Sequence, residues 1–466
     1  MILLLWVADT WARVGGGQDF GGSSDGYGGG GSDDGPGVNI GLVRLLLWLC
    51  LEHPIIGIPL TILVIYFWLS SQKQGKNKAV FHGRPRRIVA PSLSSLLERD
   101  PNLSEVLLRD LFQLVYLRAW ALRSGEAATV PYLSPGVVRA LESQQPVSEV
   151  VVGGLSIVEL REDPDRDRVT VVYEANARES GVWLYLRERW VWARERGAQT
   201  PSPAAMRLRA CPSCGNPMDT DAAGACQSCG TSLSDGRLNW VVERATTLER
   251  RALGAPELRK GGGVEYGTEM ATIFHPNLDQ QRRKLQTAHP DFAWDRFEAR
   301  AREIFLSLQT VWSAGDWQKA RPLESEPLFH SHNLVLQRYK RAGLRNRADQ
   351  VRIDRFEVVK VSSDAWYDSV TVRIRASMLD WTEDASGRVV SGSRDQKKVF
   401  SEYWTFIRAT QAAPGAGKAL DQCPSCGAPL DKLSFTGVCG YCDTNVVGGE
   451  RDWVLSLIVQ DELYRG

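Results

Sequence analysis

Eight of the nine cysteines in this 466-residue chain fall into four Cys-x-x-Cys pairs: Cys211 with Cys214, Cys226 with Cys229, Cys423 with Cys426, and Cys439 with Cys442. Two intervening residues let both thiolates of a pair reach a single ion, and two such pairs close a tetrahedral four-sulfur shell with no open position. A closed shell makes the metal structural rather than catalytic. Glycine follows the second cysteine in three of the four pairs (Gly215, Gly230 and Gly427), where a tight turn can aim backbone N–H groups at sulfur. Zinc is the natural occupant, one ion for each quartet, with iron in a rubredoxin-like site as the alternative. A redox role would need one exposed pair on a helix, and the doubling argues against it. A chain of this length has no need of disulfide staples, so the pattern asks for reduced thiols and a reducing compartment.

Other chemistry is sparse. Lys plus Arg number 56 and Asp plus Glu 55, so no global basic field draws the chain to nucleic acid. Around the first quartet Arg207, Arg209 and Arg237 balance Asp219, Asp221 and Asp235; around the second, Lys418 and Lys432 face Asp421, Asp431, Asp443 and Glu450. Phosphate binding needs clustered positive charge, and these ribbons lack it. No glycine-rich phosphate loop precedes a helix and no nucleophile-elbow serine is present, so no catalytic residue is assigned and the chain reads as a non-enzyme. His330 and His332 stand two apart and read as polar surface or loop rather than a metal pair. A hydrophobic share of 43% with 24% charged residues excludes fibrous and wholly disordered classes.

These sites need elements to hold them. Residues 1–40 open on a short apolar run, read either as a signal remnant or as an untidy terminus, and continue into a glycine-rich acidic tether. Residues 41–70 are apolar enough to cross about 30 Å of hydrocarbon. Glu52 and His53 interrupt them, so either 54–70 spans with 42–51 at the interface, or one longer helix kinks at Pro54. Residues 71–92 carry Lys73, Lys76, Lys78, Arg84, Arg86 and Arg87 without an acid. Basic flanks stay in the cytoplasm, which places the N-terminus outside and the C-terminal portion inside, in agreement with the reduced cysteines. The same six charges either only set topology or also hold anionic headgroups.

The rest of the chain follows one plan twice. Asp100-Pro101-Asn102-Leu103 and His289-Pro290-Asp291-Phe292 each start a helix, the first with Asn102 and Glu105 as a capping box. Leu107, Leu111, Leu114, Val115 and Leu122 share one face of the first; Phe297, Ala301, Ile304, Phe305, Leu308 and Trp312 share one face of the second. Both helices stop at a glycine, Gly125 or Gly315, and β-rich segments follow Pro131 and Pro322. The strands are expected over 149–160, 169–175 and 182–193, then 351–361, 369–378 and 398–409, with Thr382 to Arg394 an inserted surface loop. Trp240 follows Cys229 and Trp453 follows Cys442 at the same interval of eleven residues. The layout is therefore a first module over 93–250 with a zinc ribbon at 208–235, a linker over 251–284, and a second module over 285–466 with a ribbon at 420–447.

A proline-marked start, an amphipathic helix ending at a Gly-Asp/Glu turn, a Pro-x-Leu and then a curved sheet resemble the Tim44-like domain. The carriers are Asp100 to Ser104 through Leu133-Ser134, and His289 to Phe292 through Pro322-Leu323. The resemblance covers about residues 95–195 and 285–410. It implies the nuclear-transport-factor-2-like α+β cone fold, here twice behind one transmembrane helix, each cone with a small zinc ribbon. It also implies a bacterial inner-membrane protein, single-pass, that docks at the cytoplasmic leaflet and offers a concave apolar pocket to lipid or protein. The expected function is a non-enzymatic binding or scaffold role linked to protein transport or membrane-protein assembly. Its expected partners are the bilayer and a protein not yet identified, without nucleic acid. The competing readings are an enzyme or small-ligand binder using the cone, and a nucleic-acid-associated ribbon protein.

Overall fold

The structure, a computed structural model, describes residue 14 and residues 91–125, 129–147, 149–252, 263–265, 267–412, 422–423, 425–433, 437–461, 464 and 466. The expected tether (1–40), the apolar segment 41–70, and Lys73, Lys76, Lys78, Arg84, Arg86 and Arg87 lie outside the described residues. Among the described residues no helix is long and apolar enough to cross a membrane.

The first half begins with α1 (Ser94–Arg99) and α2 (Glu105–Ser124). The side chain of Ser104, not Asn102, caps α2, accepting from the Leu107 N–H at 3.3 Å. Asn102 is instead drawn into a turn, its N–H donating to the Asp100 carboxylate at 3.2 Å. Gly125 closes α2 in the left-handed region with φ 75°, which only glycine enters without penalty. All five residues expected on the apolar face of α2 are buried. A third helix, α3 (Pro135–Glu142), precedes the long antiparallel strands β1 (Glu149–Glu162), β2 (Arg166–Glu179) and β3 (Val182–Glu195). A short turn of helix, α4 (Pro203–Met206), and the first cysteine quartet follow, and β4 (Val241–Ala252) returns to pair with β3. The sheet order is β1-β2-β3-β4.

The chain then forms β5 (Gly263–Val264) and α5 (Leu278–Ala288), so part of the stretch expected as a linker is ordered structure. α6 (Trp294–Ala314) closes at Gly315 with φ 72° and buries all six of its expected core residues. After the 3-10 turn Trp317–Leu323 come α7 (Glu326–Arg341), β6 (Leu344–Ser363), β7 (Tyr367–Asp384), β8 (Val389–Ala409) and, beyond the second quartet, β9 (Val454–Gln460). β8 lies between β7 and β9, with β5 joining its edge in parallel.

The sequence reading differs from the structure at two places in these halves. The sequence reading holds no counterpart of α3 and α7, because β-rich segments are expected directly after Pro131 and Pro322; Pro135 and Pro327 sit in the first turn of these two helices, where a missing N–H costs nothing. The segment expected as an inserted loop, Thr382 to Arg394, is the tip of the β7–β8 hairpin, with Trp381 paired to Gly392. Its turn closes on Asp384, whose carboxylate accepts from the Ser386 and Arg388 N–H groups at 2.9 and 3.1 Å.

Rings fill the space between each helix and its sheet. Tyr116 stacks on Tyr173 at 4.2 Å and Phe112 meets Trp192 at 4.4 Å. In the second half Phe305 meets Trp404, and Phe297 meets Trp453, both at 4.9 Å. The two halves belong to one compact unit. Tyr367, Ile407 and Val454 of the second half enter the first core, and Val151 and Tyr185 of the first enter the second.

Candidate metal centres

Each cysteine quartet sits on two short hairpins, inserted between β3 and β4 in the first half and between β8 and β9 in the second. Their isolated bridges repeat: Ala210 with Pro217, Thr220 with Cys226 and Ala225 with Ser232 in the first; Gln422 with Pro429, Leu433 with Cys439 and Val438 with Asn445 in the second. Tight turns bring the sulfurs round. The Gly215 N–H donates to the Cys211 carbonyl and the Gly427 N–H to the Cys423 carbonyl, both at 2.9 Å. These glycines have φ 75° and 77°, while Asp443 replaces glycine in the last turn at φ 56°. Aspartate tolerates that region better than most residues.

All four Sγ atoms of each group lie within 4.8 Å of one another. Cys211 and Cys229, and Cys214 and Cys226, are 3.9 Å apart; Cys423 and Cys442 are at 3.8 Å, Cys426 and Cys439 at 4.0 Å. A tetrahedron with metal–sulfur bonds of about 2.3 Å has sulfur–sulfur edges of about 3.8 Å, whereas a disulfide would need about 2.0 Å. The eight predicted ligands are thus gathered as two groups, each able to hold a metal ion.

The electrostatics fit that use. The hydroxyl of Thr231 stands 3.3 Å from the Cys229 sulfur and that of Thr444 stands 3.4 Å from Cys442. Hydrogen bonds from these threonines lower both thiols to about 6. Cys214 and Cys426 go the other way. A backbone N–H, from Asn216 or Ala428, pulls each down, but burial and the neighbouring sulfurs outweigh it and push each up to about 11. Four sulfurs this close cannot all carry charge until a cation joins them, so metal binding must release protons.

Two of the basic groups beside the first ribbon are engaged within the chain. Arg237 pairs with Asp235 at 2.7 Å. Arg207 is 3% exposed and leaves the ribbon altogether: its Nε donates to Asp110 on α2 at 2.8 Å and its Nη1 to the Tyr367 hydroxyl on β7 at 2.7 Å. That one side chain therefore joins the first ribbon, the first helix and the second sheet. Trp366 adds an indole N–H bond to the Asn102 carbonyl at 2.8 Å, and Gln113 donates to Ser331 at 3.0 Å.

Both ribbons are tied to their sheets in the same way. The Glu195 N–H donates to the Gly236 carbonyl and the Ala409 N–H to the Gly449 carbonyl, each at 2.8 Å. Just beyond, Arg194 lies over Trp240 at 4.7 Å and Arg408 over Trp453 at 5.1 Å. Arg194 also donates to Asp100 at 2.6 Å, and Arg408 to Asp368 at 3.3 Å, which His289 meets at 2.8 Å. The equal Cys-to-Trp interval in the sequence thus delivers a tryptophan to the arginine of the third strand in both halves.

Residues 278–417 match the family model of the Tim44-like domain. The match starts at the first residue of α5, passes the end of β8 and stops before Cys423. The matched stretch therefore comprises the helices and the first three long strands of the second half, and the ribbon with β9 follows it. No curated protein matches the chain.

Three groups outside the cysteine sites were not foreseen or were misplaced. His332 is not at the surface: it lies on α7 with Phe329, Val335, Leu336 and Tyr339, is 3% exposed, and its Nδ1 meets the Glu324 carboxylate at 2.8 Å. Burial pushes the Glu324 carboxyl up, against the pull of His332. His330, on the same helix, is half-buried, its Nε2 at 3.8 Å from Glu326. Glu188 and Glu402 are buried on the third strands and accept from the indole N–H of Trp190 (3.3 Å) and Trp404 (2.9 Å) two residues on. The repeated Glu-x-Trp was the sequence signal for this pair.

Proposed function

We propose that the chain is a membrane-anchored, non-enzymatic binding or scaffold protein, carrying two Tim44-like domains at the cytoplasmic face of the inner membrane, in a role linked to protein transport or membrane-protein assembly. The family match over 278–417 carries this reading. The first half supports the second copy through shared register: Val169 faces Trp192 and Val171 faces Trp190, as Val370 faces Phe406 and Val372 faces Trp404. The apolar run 41–70 supplies the anchor and the basic stretch with Lys73, Lys76, Lys78, Arg84, Arg86 and Arg87 supplies the inner-leaflet contact.

The two quartets hold zinc, chosen by four thiolates at tetrahedral spacing, and the metal braces the end of each sheet rather than meeting substrate. A binding role is favoured over catalysis because the buried carboxylates Glu188 and Glu402 accept from indole N–H groups and Glu324 is paired with His332. The experiment is protease accessibility. In spheroplasts the region beyond residue 90 should resist added trypsin and remain in the membrane after alkaline carbonate; in inverted vesicles it should be cut. Cleavage in intact spheroplasts, or release by carbonate, overturns the anchored, inward-facing arrangement.

A further inference from the structure

The outer face of the second sheet carries polar chemistry that neither the cysteine sites nor the aromatic core uses. Ile374, Ala376 and Met378 of β7 point into the core, so Arg373, Arg375 and Ser377 point away from it. Arg373 is fully engaged: it donates to Asp461, the Met270 carbonyl, Thr272 and Ser401 at 2.8–3.0 Å, which pins the stretch 267–272 across the sheet. Past that strap the face opens into a groove of about 590 Å³, lined by Arg352, Asp354, Arg375, Ser377 and Lys397 with two aliphatic side chains.

Strand register puts these groups on one face. Ser377 is paired with Arg352 on β6 and with Val399 on β8, and Lys397 is paired with Leu379, two residues beyond Ser377; directly paired residues project to the same side. Three cations from three strands thus surround one serine. Asp354 engages Arg352 at 2.6 Å, and the well-exposed Glu269 at the rim reaches Arg375 only at 3.3 Å. Lys397 is exposed and makes no ion pair among the described residues. At the centre the Ser377 hydroxyl, in a residue 4% exposed, has no hydrogen-bond partner among the described residues. A buried hydroxyl without a partner is costly unless something fills the place. Beside it β8 bulges: between the Leu379–Lys397 and Asp380–Ser393 pairs, residues 394–396 loop out, a device that re-aims side chains beside binding sites.

We propose that this groove binds the phosphoryl group of a small soluble phosphate ester, the Ser377 hydroxyl donating to one oxygen while Arg352, Arg375 and Lys397 neutralise its charge. Guanidinium groups suit phosphate oxygens, and a tetrahedral anion meets donors arriving from three sides where a flat carboxylate meets two. The source is soluble rather than lipid, since Ile353 and Val399 alone offer no bed for acyl chains. The proposal does not depend on the membrane reading.

Calorimetric titration of the full chain in neutral detergent, at low ionic strength, tests it with two probes: inorganic phosphate and dihexanoyl phosphatidic acid. Phosphate should bind saturably in the millimolar range, about tenfold weaker in Lys397→Gln and about threefold weaker in Ser377→Ala, with the melting temperature unchanged in Lys397→Gln and not lowered in Ser377→Ala. Failure of phosphate to saturate, or binding as tight as in the native chain by both Lys397→Gln and a second surface variant, Arg352→Gln, overturns the site. Tenfold tighter binding of the short-chain lipid overturns the soluble source.

Discussion

Arg207 shows how far one side chain can reach. Burial pushes the Asp110 carboxyl up, so its charge depends on the guanidinium beside it. Removing one partner of a buried pair strands the other, which costs about 3–5 kcal/mol. Arg207→Ala should therefore lower stability by about that amount in denaturant titrations and loosen both halves; a loss confined to the first half contradicts its place at the junction. Glu383, near the other end of β7 from Tyr367, gives a pH signature. The Trp381 indole N–H, then Arg347 and Arg394, hold its carboxyl down at about 2 from an ordinary 4.5. A depressed folded value contributes stability that is present above 4.5 and is lost as pH falls through about 2. Hydrogen-exchange protection at the β7–β8 tip, corrected for the intrinsic pH dependence of amide exchange, should fall over that window in the native chain. Glu383→Gln should reduce the dependence, leaving the part due to Asp384, whose carboxyl the Ser386 hydroxyl and the Ser386 and Arg388 N–H groups hold down at about 2. Residue identities made the cysteine ligands legible because metal geometry constrains spacing directly. Nothing local marked Arg207 or Ser377, whose roles come from partners far along the chain.

Elements were legible where period and punctuation agreed. The apolar faces of α2 and α6 and their closing glycines could be read because a 3.6-residue stripe and a left-handed stop are local properties. The helices α3 and α7 were missed because strands were expected directly after Pro131 and Pro322, although a proline in the first turn, as Pro135 and Pro327 are, suits a helix start. The hairpin tip was hidden by its polarity: strands that extend beyond the core lose the apolar alternation that identifies them. Gly392 is what permits that extension. A Cβ there would lie 2.2 Å from the Asp380 carbonyl oxygen, at φ 73°. Gly392→Ala should destabilise the chain by more than about 2 kcal/mol in a denaturant midpoint shift; a neutral outcome would show that the β7–β8 register differs.

At the scale of the whole molecule the repeat was visible and the docking of its halves was not. Repetition leaves marks at fixed intervals, such as the paired Trp240 and Trp453 over Arg194 and Arg408. Docking depends on Tyr367 and Ile407 entering the first core and Tyr185 entering the second, contacts that join residues roughly two hundred apart and carry no periodic signal. Sharing of core residues makes the two halves one cooperative unit, and the ribbons stand where each sheet closes. Four sulfurs at tetrahedral edges are the feature on which this bracing rests. X-ray absorption at the zinc edge, made on the purified full chain alongside metal analysis, reads that feature without intermediaries. Two zinc ions per chain, each with four sulfur neighbours at about 2.3 Å, are expected. A metal content near zero, or nitrogen and oxygen in the first coordination shell, would contradict it.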